Sequence, residues 1–157
     1  MKQFFCLVTF MLSLLLTSTV WGQEGFGNVY FIRSTGFQGS AVAFTAFIDN
    51  SLVCKLNNKR YSIHEVAAGT HTFSVQFGGK QSKVRAEPIT IPIEAGKTYY
   101  VQMIFQTGVL KNNLYCQEVT ENSAKTVLSE CQEDTDCIPE NYTKRVNKKT
   151  EGENEAE

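Results

Sequence analysis

Apolar and polar residues alternate along much of the chain with the period of β-strands. In the segment 70–77, every second residue from His71 to Phe77 is aromatic or aliphatic, and the residues between them are threonine, serine and glutamine. One apolar and one polar face is the pattern of a strand that covers a core on one side. The segment therefore predicts a half-buried strand.

A second alternating segment, 61–66, precedes this strand and suggests a hairpin. A three-residue loop that ends in Gly69 gives the two segments one register in which their apolar faces agree. That register places Ile63 opposite Phe73 and Tyr61 opposite Val75, whereas a two-residue loop would turn Tyr61 and Ile63 to the other face. We expect the hairpin with the three-residue loop.

Six further segments have the composition of strands. Segment 41–48 is apolar on both faces, which is typical of a strand in the middle of a sheet. Segment 89–93 contains Pro92, which has no N–H for a ladder, so we expect it at a sheet edge. The six segments are 29–32, 41–48, 52–56, 89–93, 98–105 and 114–119.

A short helix is predicted after the last strand. Ala124, Val127, Leu128 and Cys131 recur at helical spacing, with Asn122–Ser123 as the candidate cap. Short strands at regular spacing followed by one helix indicate an all-β fold, a β-sandwich of about seven or eight strands with a short C-terminal helix.

The N-terminus has the composition of a secretory signal peptide. Lys2 precedes an apolar stretch of 13 residues, and small Gly22 with Val20 suits a cleavage site. The stretch is shorter than the ~20 residues that span a bilayer, although an uncleaved anchor is the alternative. We expect residues 1–22 to be removed, leaving an exported protein, periplasmic or secreted, with no integral membrane segment.

Charge separates the remaining chain into a domain and a tail. Residues 23–131 carry 10 basic and 8 acidic residues, and residues 132–157 carry 4 and 8. This acidic tail has too few apolar residues to offset the entropy of ordering, so we expect it to be disordered beyond about Cys137. The domain, 23–131, is large enough for a single core. Neither part is basic enough for nucleic-acid binding.

Four cysteines remain after signal removal, and an even number in an oxidising compartment favours disulfides. Three pairings are possible. We favour Cys54–Cys116 with Cys131–Cys137, because the first two lie in predicted strands and the last two are near neighbours. The C-x5-C spacing has no partner motif that would indicate zinc.

The two histidines offer little for catalysis or metal binding. In the expected hairpin, His64 and His71 point to opposite faces and Glu65 lies opposite His71, which suggests a structural pair. There is no Gly-x-Ser-x-Gly motif, and no third metal ligand stands at an obvious spacing. We predict no enzyme, no metal and no cofactor.

The loop 33–40 is the best candidate contact surface. Phe37 lies between two glycines, and Arg33 would offer a fork of donors at the strand end; exposed arginine and aromatic residues often anchor interfaces. The alternative is that Phe37 folds back onto the sandwich and Arg33 pairs with a carboxylate. Tyr100, next to Tyr99 in a strand, is a further candidate.

Several segments in order resemble one bacterial family, filed as domain of unknown function 2846. The similarity runs over roughly 28–131 and is carried by 33–41, 47–50, 69–72, 95–100 and 108–110. The resemblance implies a bacterial envelope protein with a β-sandwich similar to PEGA-type, transthyretin-like modules. It implies no reaction.

The leading hypothesis is an exported, non-enzymatic interaction or accessory module of the bacterial cell envelope. Its partner would be an envelope protein or a cell-wall component, bound by the loop 33–40 or by strand addition at 89–93. The alternative is a small-ligand or carbohydrate-binding domain, and a hydrolase has the weakest support.

Overall fold

The computed structural model describes residues 25–37, 39–79, 87–108 and 112–137. The predicted signal peptide and the tail after Cys137 lie outside these residues. Nine strands and one helix are present in the described part of the chain. They are β1 (Phe26–Arg33), β2 (Phe44–Ile48), β3 (Ser51–Leu56), β4 (Arg60–Ala67), β5 (Gly69–Phe77), β6 (Ile89–Ile93), β7 (Thr98–Gln106), β8 (Asn113–Val119), α1 (Glu121–Leu128) and β9 (Gln132–Glu133).

The strands form two sheets, which confirms the predicted all-β sandwich. Sheet A has the order β8-β7-β1-β4-β9, and sheet B has the order β3-β2-β5-β6. The inner faces of the two sheets meet in one core, whose largest side chains include Phe31, Phe44 and Phe73. In sheet A, β1 runs antiparallel to β4 and parallel to β7.

Two positions within the sheets agree with the sequence pattern. Strand β2, apolar on both faces, lies between β3 and β5, as predicted for a central strand. Strand β6, which carries Pro92, is the edge of sheet B, as predicted from the missing N–H. The central position of β2 and the edge position of β6 each follow from the composition of that strand alone.

The predicted hairpin is wrong, because β4 and β5 belong to different sheets. Strand β4 pairs with β1, while β5 pairs with β2 and β6. The chain crosses between the sheets at Ala68 and Gly69. The Ala68 N–H donates to the carbonyl of Gly25 at 2.8 Å, and Gly69 has φ 148°, a region that other residues rarely adopt.

The inner face of β4 is accordingly the opposite of the one expected. Ser62, His64 and Val66 face the core, whereas Tyr61 and Ile63 lie on the outer face of sheet A. Both faces of β4 carry large side chains, so alternation alone did not distinguish them. The assumption that neighbouring strands pair gave the wrong face.

The predicted helix is confirmed, but it begins earlier than expected. Thr120, rather than Asn122 or Ser123, is the N-cap, and its hydroxyl accepts from the Ser123 N–H at 3.4 Å. The helix packs on the outer face of sheet A, where Ile32 and Ala124 are fully buried. Among the described residues, no helix is long and apolar enough to cross a membrane.

Ordered structure continues past Cys131, the predicted end of the domain. Strand β9 pairs in parallel with β4, and Asp134 N–H donates to the Tyr61 carbonyl at 2.8 Å. Further along, the Lys55 N–H donates to the Cys137 carbonyl at 2.8 Å. The segment from Gln132 to Cys137 therefore closes one side of the sandwich.

Candidate functional site

Arg33 is fully buried at the end of β1, so the expectation of exposed donors is wrong. Alternation along β1 places it on the inner face with Phe31. Its terminal nitrogens donate to the carbonyls of Leu56 and, at 2.7 Å, Gly39, and the guanidinium lies 3.6 Å from the centroid of the Phe44 ring. Within the described residues, Nε has no hydrogen-bond partner. Burial lowers the pKa of Arg33 to about 10, so it stays charged at neutral pH.

The buried guanidinium joins strand β3 to the loop that follows β1. The same loop is held by Asn58, whose side-chain oxygen accepts from the N–H and the hydroxyl of Thr35 at 2.9 and 3.0 Å. Farther along, the Ser40 hydroxyl donates to the Phe37 carbonyl at 2.7 Å. The loop is thus fixed on both sides of Phe37.

Phe37 is 95% exposed, so it does not fold back onto the sandwich. Gly39, two residues later, packs against the Phe105 ring, and a Cβ there would lie 2.9 Å from that ring. Phe105 in turn contacts Phe44 and Phe77. Phe77 and Val42 are about half exposed. We call Phe37, Val42, Phe44, Phe77 and Phe105 the aromatic end of the sandwich.

Tyr100 belongs to a row of three tyrosines on the outer face of sheet A. The rings of Tyr30 and Tyr61 have centroids 6.0 Å apart, and those of Tyr30 and Tyr100 are 5.2 Å apart. The three residues come from the adjacent strands β4, β1 and β7; Tyr30 lies directly opposite Tyr100 and diagonal to Tyr61. Burial, with the nearby charge of Glu121, raises the pKa of Tyr100.

Tyr100 also lines a shallow cleft of about 480 Å³ between the start of β7 and the start of α1. Lys97, Glu118 and Glu121 are among the residues that line the cleft. The cleft therefore offers charges of both signs beside an aromatic ring, which suits a polar small molecule better than an apolar one.

The predicted disulfide pairing is wrong. Cys54 is bonded to Cys137, and Cys116 and Cys131 are free thiols. Cys54 lies in β3, which faces β4, whereas Cys116 lies in β8, which faces β5 and β6 at the other side of the sandwich. Cys116 is buried, and desolvation raises its pKa to about 11. Strand β9 separates Cys131 from Cys137.

His64 lies beside the disulfide. One ring nitrogen of His64 and the sulfurs of Cys54 and Cys137 all lie within 4.8 Å of one another. The Ser62 hydroxyl is 2.9 Å from Nε2 of His64, and the Phe31 ring meets the imidazole edge-on. Burial lowers the pKa of His64 to about 4, so the ring is neutral at pH 7.

His71 forms a structural pair, but its partner is Asp49 rather than Glu65. Nδ1 of His71 lies 2.6 Å from the Asp49 carboxylate, and Nε2 lies 2.9 Å from the Ala67 carbonyl. Asp49 also accepts from the N–H and hydroxyl of Thr72 at 2.9 and 3.2 Å. Both ring nitrogens are occupied, so His71 has no free nitrogen to act as a base on a substrate.

The family model for a protein of unknown function, DUF2846, matches residues 23–115 of the chain. The chain belongs to this family. No curated protein and no solved structure matches the chain significantly. The match covers β1 through the first half of β8, so α1, β9 and Cys137 lie after it.

Two features of the site were not found from the sequence. The Cys54–His64–Cys137 cluster was missed because the expected hairpin put His64 on the face opposite Tyr61 and Ile63, and because Cys54 and Cys137 were assigned to different disulfides. The tyrosine row was missed because Tyr61 was assigned to the core face. In each case the residues can be read from the sequence, but which of them contact each other depends on the sheet to which β4 belongs.

Proposed function

We propose that this protein is an exported, non-enzymatic interaction module of the bacterial cell envelope that binds a partner through its aromatic end. The observation that carries the proposal is the exposure of Phe37 on a loop braced by a buried arginine. A large apolar side chain held in solvent is costly unless another surface covers it. The Cys54–Cys137 disulfide supports export, because such bonds persist in oxidising compartments.

Because the loop is held in place, the exposure of Phe37 is better explained by a binding role than by loop flexibility. Ordering a mobile loop upon association costs free energy, and a loop that is already held avoids part of that cost. Arg33 acts here as a positioning residue: it does not reach the surface, but its bond to Gly39 holds the segment that presents Phe37. Aromatic anchors surrounded by less exposed apolar residues are the usual centres of protein interfaces.

The test is photo-crosslinking in cells, with a crosslinking amino acid at position 37 and a matched control at position 26. Phe26 is also exposed, at 63%, but it lies at the opposite end of β1. We expect one reproducible envelope protein or cell-wall component to be captured from position 37 and not from position 26. Equal capture from both positions, or recovery of the monomer alone from position 37, would reject the proposal.

Substitution of Phe37 tests how much this side chain contributes to the affinity for the captured partner. Phe37→Ala should weaken binding of the captured partner at least about 10-fold, because the central anchor of an interface contributes on the order of 2 kcal/mol to binding. It should leave Tm unchanged, since Phe37 packs on little else. Phe26→Ala is the control and should change neither quantity. A lowered Tm with unchanged binding would assign Phe37 a structural role instead.

The second candidate is binding of a polar small ligand or carbohydrate. The cleft beside Tyr100, with Lys97 and Glu121 at its walls, favours this alternative. It predicts that a soluble cell-wall fragment raises Tm and that Tyr100→Ala removes the shift while Phe37→Ala does not. Capture of a protein partner at position 37 with no thermal shift would decide against it.

A further inference from the structure

Three potential metal ligands from separate parts of the chain converge on one side of the core. Cys54 comes from β3 in sheet B, His64 from β4 in sheet A, and Cys137 from the segment after β9. Their ligand atoms lie within 4.8 Å of one another. Two thiolates bound to one ion at about 2.3 Å lie about 4 Å apart in a trigonal arrangement. The spacing therefore fits a single ion once the sulfurs separate.

The surroundings are largely buried and orient the imidazole. Cys54 is fully buried and Cys137 is 7% exposed. Phe31 packs against the His64 ring, and the Ser62 hydroxyl at 2.9 Å from Nε2 sets its orientation. Groups that hydrogen-bond a ligating histidine in this way commonly tune its affinity for metal. The neutral ring provides a lone pair.

The disulfide and a bound ion exclude each other, because the same sulfurs cannot form the S–S bond and act as two thiolate ligands. Reduction by a dithiol breaks the Cys54–Cys137 bond and transfers two electrons and two protons to the sulfurs, and the dithiol becomes a disulfide. Metal binding then releases the two thiol protons.

We propose that reduction of the Cys54–Cys137 disulfide converts this cluster into a site for one thiophilic d10 ion, Cu(I) or Zn(II), with His64 as the third ligand. Two thiolates and an imidazole are the soft donor set that both ions prefer. Cu(I) is satisfied by three ligands, whereas Zn(II) takes water or another group as its fourth. Exchange with an oxidising disulfide re-forms the Cys54–Cys137 bond, reduces that oxidant to a dithiol with two protons from solvent, and releases the ion.

The test uses the purified full chain, either oxidised or reduced with a phosphine that is then removed under anaerobic conditions. Cu(I) and Zn(II) are titrated separately in competition with chromophoric chelators, and Co(II) reports coordination by its thiolate charge-transfer absorption. We expect one equivalent per chain in the reduced protein and none in the oxidised protein. The ion with the higher competition affinity identifies the site's preference.

Variants distinguish this cluster from the other sulfurs. Cys54→Ser/Cys137→Ser should weaken binding at least about 100-fold, and His64→Gln should weaken it about 10- to 100-fold. Cys116→Ala/Cys131→Ala is the matched control and should still bind one equivalent. Unchanged binding in either of the first two variants, or its loss in the control, would overturn the assignment.

The folding of the reduced chain provides an independent measurement. The bound ion should raise the Tm of the reduced wild type, since it binds the native state and joins the two segments that the disulfide joins, with β4 as a third. If the reduced chain is unfolded, the ion should restore its native circular dichroism. A reduced chain that neither gains Tm nor refolds with Cu(I) or Zn(II) would overturn the proposal.

Discussion

Arg33 and His64 lie on the inner faces of neighbouring strands, and burial lowers the pKa of both side chains, with opposite results. The pKa of Arg33 falls from 12.5 to about 10, so the guanidinium keeps its charge. The pKa of His64 falls from 6.5 to about 4, so the imidazole loses its charge at pH 7. The difference comes from the starting values rather than from the surroundings.

The two regions therefore place different demands on the chain. A permanent buried charge requires acceptors, and Arg33 obtains them from the Leu56 and Gly39 carbonyls and the Phe44 ring. A neutral imidazole requires little and retains a lone pair. The arginine region consequently fixes a surface loop, whereas the histidine region keeps an unprotonated ring nitrogen beside the two sulfurs.

Of the changes considered, removing the disulfide, which belongs to the histidine region, should lower the free energy of unfolding the most. Cys54→Ser/Cys137→Ser should lower the free energy of unfolding by about 4–5 kcal/mol, because the bond restricts an unfolded loop across 83 residues. Guanidinium denaturation measures the loss. Cys131→Ser, a half-buried free thiol, should lose less than about 1 kcal/mol. Equal losses in both would mean that the bond adds no stability.

Removing the arginine should have the next largest effect. Arg33→Ala should lower the free energy of unfolding by about 3–4 kcal/mol, because it leaves two carbonyls without their donor and a cavity over Phe44. The control is Arg60→Ala, which lies opposite Arg33 in the register but is partly exposed, and it should lose about 0.5 kcal/mol. Chemical denaturation of both variants gives the comparison. A loss of less than 1 kcal/mol in Arg33→Ala would show that the buried charge is not structural.

The smallest effect is a pH dependence that only the histidine region should show. Above about pH 6.5 the imidazole is neutral in the folded and the unfolded chain. Between about pH 6.5 and 4 the unfolded chain binds the proton first, so stability falls as the pH falls. Allowing for residual solvent contact, the loss is roughly 2–3 kcal/mol.

The measurement is the difference between wild type and His64→Gln across this pH range, which cancels the titration of the carboxylates. His71→Gln is the control and should retain the loss that depends on His64. If the curves of wild type and His64→Gln run parallel, the imidazole of His64 is not desolvated as its position indicates.

Properties of single strands could be predicted from the sequence, and relations between strands could not. Pro92 requires an edge whatever its neighbours are, and the apolar faces of β2 require cover on both sides. Strand β4 offers Tyr61 and Ile63 on one face and His64 and Val66 on the other, so only the partner sheet decides which face is buried.

The two wrong assignments at the site have the same origin. Four cysteines permit three pairings, and the choice depends on which strands face each other across the core. Alternation along β1 puts Arg33 on the same face as Phe31, but its burial was not predicted, because the carbonyls that accept from it lie in β3 and in the loop. The family match identifies the family of the chain but not which strands pair or which residues contact each other.

The position of β1 has a consequence for how the chain reaches this structure. Strand β1, the first of the described strands, lies in the centre of sheet A, and its parallel partner β7 follows much later in the chain, so that Asn28 pairs with Thr98. Parallel pairing across such a separation is slow, because a long loop must close before the contacts form. Until β7 pairs with it, one edge of β1 is unpaired, and an unpaired strand edge is a place where another chain can add.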